Sequence, residues 1–204
     1  MRHMHRVRGF TLIELVVTMA VLAVGLLVAL PSIGVWLDNT RIRSAADGLQ
    51  AGLQAARMEA VRRNQSVSFY LVSLTNGSTM DNSCALSSTS GSWVINTTSP
   101  AGKCGNASIL GSRAIGSSSS GVKISAGSSS NTSDKTVVGT AATTTTFDGL
   151  GRLDTTSSPL NRVRITGPKT DTTYLDLMVI VETGGGVRIC DPRSSISAND
   201  PRKC

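Results

Sequence analysis

The residues able to do chemistry lie at the two ends of the chain. Near the start, Glu14 is a lone acid in "GFTLIELVVTMAVLAVGLLVAL"; from Phe10 to Leu30 only Thr11, Glu14 and Thr18 are polar. A carboxylate in so apolar a run is expensive and generally has a partner. Four residues upstream is the Gly9–Phe10 peptide bond. Hydrolysis there would give Phe10 a free α-amino group and make Glu14 the fifth residue of the shortened chain. When such helices pack side by side, the ammonium of one subunit and the carboxylate of its neighbour neutralise each other. A subunit out of register would leave both charges buried alone, so the pair also sets the axial position. Toward the other end, the chemistry-bearing groups are thiols and cations: Cys190, Cys204, Arg188, Arg193, Arg202 and Lys203.

The element that must carry Glu14 is a helix. A helix from Phe10 to Leu30 is about 30 Å long, the thickness of a bilayer core. The preceding "MRHMHRVRG" holds Arg2, Arg6 and Arg8 and no acid, which keeps that end cytoplasmic. A secretory signal peptide and a plain membrane anchor share these features. Neither has a use for Glu14, and "VALPSIG" is a poor small-x-small cleavage site.

The amphipathic pattern continues beyond the apolar run. Between Asp38 and Asn64, Ile42, Ala46, Leu49, Leu53, Ala56 and Ala60 recur at steps of four and three, one stripe of a helix. Arg41, Arg43, Asp47, Gln54 and Arg57 occupy the other face, and Arg62 and Arg63 suit the negative end of the helix dipole. The whole helix would run from Phe10 to Arg63, about 80 Å at 1.5 Å per residue, its second half covering a sheet.

Strand patterns follow. "QSVSFYLVS" alternates Val67, Phe69 and Leu71 with Ser66, Ser68 and Tyr70, a half-buried strand; "SWVIN" (92–96) and "GVKIS" (121–125) are shorter candidates. The Ser, Thr, Asn and Gly-rich middle, 73–146, reads as short strands on long loops, with 117–135 expected to be a mobile loop. "TTTTFDGLGRLD" is a strand entering a turn at Asp148-Gly149. "NRVRIT" sets Val163 and Ile165 against Arg162 and Arg164, so the two arginines are expected to face outward with Arg188 and Arg193 as one basic patch. "YLDLMVIVETGGGVRIC" is a hairpin around Gly184-Gly185-Gly186, with Leu175, Leu177, Val179 and Val181 on one face and Arg188 outward.

Composition limits the functions available. The chain has 204 residues and a formal charge of +7, or +4 without the three leader arginines, too mild to imply nucleic acid. All four cysteines, Cys84, Cys104, Cys190 and Cys204, lie downstream of the apolar run, where translocation would expose them to oxidation. They allow three pairings; Cys84–Cys104 with Cys190–Cys204 is preferred because each bridge closes a short loop. No Cys-x-x-Cys is present and the only histidines are His3 and His5. The expectation is therefore no metal, no cofactor and no Ser-His or Cys-His catalysis. "TGGGV" lacks the lysine of a phosphate-binding loop.

"RGFTLIEL" resembles the prepilin motif of type IV pilins and type II secretion pseudopilins. The resemblance implies an α+β fold, a long membrane-spanning N-terminal helix packed on a C-terminal antiparallel β-sheet domain. It implies a class III leader at 1–9, removed by prepilin peptidase after Gly9, with N-methylation of Phe10. It implies Glu14 as the assembly residue and Pro31 as a helix-kinking proline. The parts are then 10–37 for the membrane half of the helix, 38–64 for its amphipathic half and 65–204 for a β-rich head. "LQAARMEAVRRNQ", "FDGLGR", "GGGVRICDP" and the terminal "DPRKC" resemble the GspH/FimT/FimU group, the paired ending most like its FimU and FimT branches. That resemblance implies a minor pilin of the inner membrane, head periplasmic, that joins other minor pilins or a major pilin in a filament. A type II secretion pseudopilin is the alternative. Some FimT proteins bind DNA through a Gly-Arg-x-Arg motif. Here it reads Gly185-Gly186-Val187-Arg188, with Gly186 where the first arginine belongs, so DNA contact through Arg188, Arg193, Arg202 and Lys203 is not favoured.

Overall fold

The computed structural model describes residues 10–204 except 117–120, 132–133, 170–172 and 198, and except the side chains of 27–32. The chain divides into two units, Met1–Leu37 and Asp38–Cys204. The helix α1 (Leu12–Arg63) supplies the described structure of the first unit and opens the second. Among the described residues no helix is long and apolar enough to cross a membrane. Positions 27–30 of the expected span have side chains outside the described set, and so does Pro31, whose kink therefore goes undescribed.

In the second unit two five-stranded antiparallel sheets surround one face of α1. Sheet A has β1 (Val67–Ser73) at its centre. On one side β1 pairs with β3 (Ser92–Asn96), which pairs with β4 (Gly111–Arg113). On the other it meets β7 (Thr144–Phe147) and β2 (Ala85–Leu86). Sheet B runs β10 (Val187–Cys190), β9 (Asp176–Val181), β8 (Arg162–Thr166), β5 (Lys123–Ser128), β6 (Thr140–Ala141). The sheets are tied by Leu160 N–H to Thr144 O at 2.8 Å and Asn161 N–H to Gly127 O at 3.1 Å.

The helical stripe is the seam. Ile42, Ala46, Leu49, Leu53, Ala56 and Ala60 are all buried in one cluster with Phe69, Trp93 and Ile95 of sheet A and Ile124, Val163, Ile165, Val179 and Val181 of sheet B. Two glycines set the approach of helix to sheet. A Cβ on Gly52 would lie 2.6 Å from Trp93 Cε2 and 2.8 Å from Phe69 Cε2. Gly48 accepts the Trp93 indole N–H on its carbonyl at 3.2 Å. Rings that large reach the helix backbone only where no side chain intervenes.

The expected elements form, with corrections. The strand at 67–73 is buried on both faces rather than one. Val67, Phe69 and Leu71 meet α1, while Tyr70 and Val72 pack with Cys84, Val94 and Cys104 in a second, smaller cluster. Leu74, Met80 and Ile109, gathered around the Cys84–Cys104 bridge, cover the face that sequence alternation marks as solvent. The loop expected over 117–135 contains β5, which holds two neighbours and buries Ile124 and Ala126. The strand candidate at 121–125 thus lies at the start of β5, which continues through the small residues Ala126, Gly127 and Ser128. Arg57, expected in solvent, donates to Gly151 O at 2.9 Å and Gly184 O at 3.4 Å, clamping both late turns to the helix. Gly185, at φ 77°, has its Cβ position 1.9 Å from Gly151 O, so any side chain there would collide with the clamped turn.

Candidate functional site: the N-terminal motif and the basic C-terminal face

Gly9 lies outside the described residues. Phe10 and Thr11 precede the helix, and Thr11 Oγ1 accepts the Glu14 backbone N–H at 3.3 Å. Thr11 is thus the N-cap and Glu14 the third helical residue, the Thr-x-x-Glu spacing of a capping box. A carboxylate in the first turn also suits the positive end of the helix dipole. Glu14 therefore has a second, intramolecular reason for its position. Sequence reasoning missed the cap, although its signature is plain in "FTLIE".

Around Glu14 the helix shows apolar side chains on every side: Phe10 is 81% exposed, Leu12 80%, Ile13 67% and Val21 68%. A helix apolar all round is built to be buried in other helices or lipid. Placing a carboxylate in that surface makes its neutralisation a condition of burial.

At the C-terminal end, Val187 and Ile189 pack toward the core and Arg188 lies on the other face of the strand. Arg188 Nε donates to Glu182 Oε1 at 3.3 Å. Arg193 forms a forked pair with Asp191, Nε to Oδ1 at 3.0 Å and Nη2 to Oδ2 at 2.6 Å. Arg202 does the same with Asp200 at 3.0 and 2.7 Å. The Lys203 ammonium donates to Arg193 O at 2.6 Å. Bonds from Arg202 hold the Asp200 carboxyl at a pKa of about 2. At Asp191 burial pushes the carboxyl up, but the Arg193 bonds and the Lys203 charge outweigh it and hold it below the usual range.

Of the expected basic patch, Arg164 and Arg193 line one groove, each paired with an aspartate, while Arg162 is withdrawn from it. Arg162 is 5% exposed and donates to the carbonyls of Asp134 at 3.0 Å, Val137 and Asn131. It is on the outer face of sheet B but beneath Asn131, Asp134 and Val137, a cover that strand alternation cannot foretell. Arg164 pairs with Asp176 through Nε at 3.0 and 3.1 Å. Backbone bonds hold the tail as well: Asp191 N–H meets Arg202 O at 2.6 Å, Cys204 N–H meets Asp191 O at 3.2 Å, and the tail lies along the end of β10.

Two disulfides are present, Cys84–Cys104 and Cys190–Cys204. The second, with Met178 and Ile180, closes a small cluster under the tail. Among the described residues no group of three or more His, Cys, Asp or Glu gathers as a metal site.

Residues 4–30 match the prokaryotic N-terminal methylation motif, and residues 45–185 match the family described as Type II transport protein GspH. No curated protein matches. Two crystal structures of the type IV minor pilin FimU from Pseudomonas aeruginosa PAO1 are similar. One is 18% identical over 72% of this chain and 90% of its own, with a TM-score of 0.44. The other is 20% identical over 80% and 97%, with a TM-score of 0.47. With the methylation motif before it and most of its length matched, this chain belongs to the GspH family of pilin-type proteins.

Proposed function

We propose that this protein is a minor pilin of type IV pilus assembly. Its leader, 1–9, is removed by prepilin peptidase after Gly9, and Phe10 is N-methylated. Residues 10–37 anchor it in the inner membrane with the β-rich head in the periplasm, and it then enters a filament with other pilins. The observation that carries the reading is the methylation motif over 4–30 ahead of a GspH domain, on a helix whose exposed apolar surface holds one acid, Glu14. In the filament Glu14 neutralises the Phe10 ammonium of a neighbour. Its work is structural: the mature chain has no histidine, and its clustered cations are occupied in holding turns and tail.

Mass spectrometry of protein recovered from its host tests the processing, with an N-methylated Phe10 terminus expected; an intact leader would overturn the reading. Glu14→Ala should be cleaved normally yet be absent from sheared pili. The unneutralised ammonium it leaves costs a few kcal/mol, on the order of that for any ion stranded in an apolar bundle. A wild-type amount of this variant in pili would remove Glu14 from assembly. The family description favours one second reading, a pseudopilin of type II secretion. Deleting the gene separates the two: loss of pili supports the first, loss of secreted enzymes with pili intact the second.

A further inference from the structure

The outer face of sheet B is covered only in part. Its residues fall in cross-strand rows: Lys123, Thr166 and Asp176 in one, Ser125, Arg164 and Met178 in the next. The alternate row, Ile124, Ile165 and Leu177, faces the core. Over Met178 and Ile180 the cover is Cys190, Cys204 and Val138. The tail stops there. Between it and β5 runs an open groove of about 740 Å³, whose floor includes Lys123, Ser125, Arg164 and Thr166 and whose wall includes Tyr174, Pro192 and Arg193.

We propose that this groove binds an acidic oligosaccharide, a chain of hydroxylated rings carrying carboxylates.

Three features select that chemistry. First, the lining mixes short hydroxyls (Ser125, Thr166, Ser194) with cations and with the apolar surfaces of Tyr174 and Pro192. A pyranose acid presents the same mixture: hydroxyls, a carboxylate and a C–H face. Second, the cations are partly neutralised. Arg164 is paired with Asp176 and Arg193 with Asp191, while Asp176 also acts on Arg193. Lys123 and Lys169, both in the lining, take part in no ion pair among the described residues. A nucleic acid brings a phosphate with every nucleotide and draws its affinity from long rows of unneutralised cations, against two among the described residues lining this groove. Two unpaired ammoniums, Lys123 and Lys169, beside two half-satisfied guanidiniums suit an anion sparser than a phosphate backbone. Third, the floor is the face of a sheet, whose N–H and C=O groups are spent in the ladder. An acidic peptide laid there would find no backbone partners of the kind a sheet edge offers.

The tail makes the wall. The Cys190–Cys204 bridge, the Asp191–Arg193 fork and the Lys203 bond to Arg193 O hold Arg193 beside the floor.

The test uses the full chain in detergent, titrated by calorimetry and by saturation-transfer NMR with oligogalacturonate as probe. Oligogalacturonate should bind. A neutral galactan fragment of equal length should bind much more weakly. Lys123→Gln, an exposed position with no partner to disturb, should weaken oligogalacturonate by about fivefold, the loss of one exposed charge contact. Arg193→Gln should weaken it further. No binding, equal binding by Lys123→Gln, or equal binding of the neutral fragment would overturn the proposal. Tighter binding of oligothymidylate or oligoglutamate would overturn it in favour of nucleic acid or acidic peptide.

Discussion

Gly48 and Gly52 sit one turn apart on the same face of α1, yet replacing each by alanine should act with opposite sign. In a helix interior alanine is favoured over glycine by about 0.5–1 kcal/mol. At Gly48 the new Cβ meets only the Arg113 guanidinium, 2.0 Å away at Nη1, the far end of a flexible side chain that can swing aside. Gly48→Ala should therefore be neutral or stabilising by up to about 0.5–1 kcal/mol. At Gly52 the Cβ lies 2.6–2.9 Å from Trp93 and Phe69, rings that cannot swing. Phe69 is fully buried, the rings pack with centroids 5.7 Å apart, and Trp93 is held by its bond to Gly48 O. Overpacking costs about 1–3 kcal/mol, and losing the indole bond adds about 1. After the helical gain is subtracted, Gly52→Ala should be destabilising by about 1–3 kcal/mol. For a domain of this size that lowers Tm by roughly 2–4 °C per kcal/mol. The assay is urea and thermal unfolding of Asp38–Cys204, the compact second unit, with disulfides intact. That fragment omits Trp36, so tryptophan fluorescence reports Trp93 alone. A Gly52→Ala protein as stable as wild type, or a Gly48→Ala protein equally damaged, would refute the reasoning.

Cys204→Ser should cost about 3 kcal/mol, the chain-entropy value for so short a loop, and non-reducing proteolysis should then cut the tail after Asp191 while the sheets stay intact. Arg162→Met should release Asn131, Asp134 and Val137, since it removes the bonds to their carbonyls; hydrogen exchange should rise around those residues and not in β8 or β9. Glu59 is held by hydrogen bonds from Arg62 and Arg63 at a pKa of about 2, down from 4.5. Its contribution is present above pH 4.5 and fades as pH falls toward 2, so the Tm gap between wild type and Glu59→Gln seen at pH 6 should close by pH 2. A gap that widens on acidification would reverse the sign of that pairing.

Much of this protein is legible in order of residues because its physics is local. Thr11-x-x-Glu14 is a local helix-start signature that could have been read from "FTLIE", and the stripe from Ile42 to Ala60 can be buried only along one line. The Gly184–Gly186 hairpin follows from three glycines between two alternating runs. The N-terminal motif is local as well: a bond to cut, an acid four residues on and an apolar run need no tertiary context to be read together. What sequence could not settle was which surfaces are covered, because cover comes from segments far away in the chain. Tyr70 and Val72 stand on the outward face of their strand until Leu74, Met80 and Ile109 close over them around the Cys84–Cys104 bridge. Arg162 occupies the outward position of its strand and becomes buried because residues 131–137 supply three carbonyls to a guanidinium. The arginines expected to form one open patch each met a carboxylate or carbonyl: Arg164 found Asp176 on the neighbouring strand, Arg188 Glu182, Arg193 Asp191, and Arg162 three carbonyls. Alternation fixes the side of the sheet on which a residue stands; the presence of water there depends on loops whose placement only the folded chain decides.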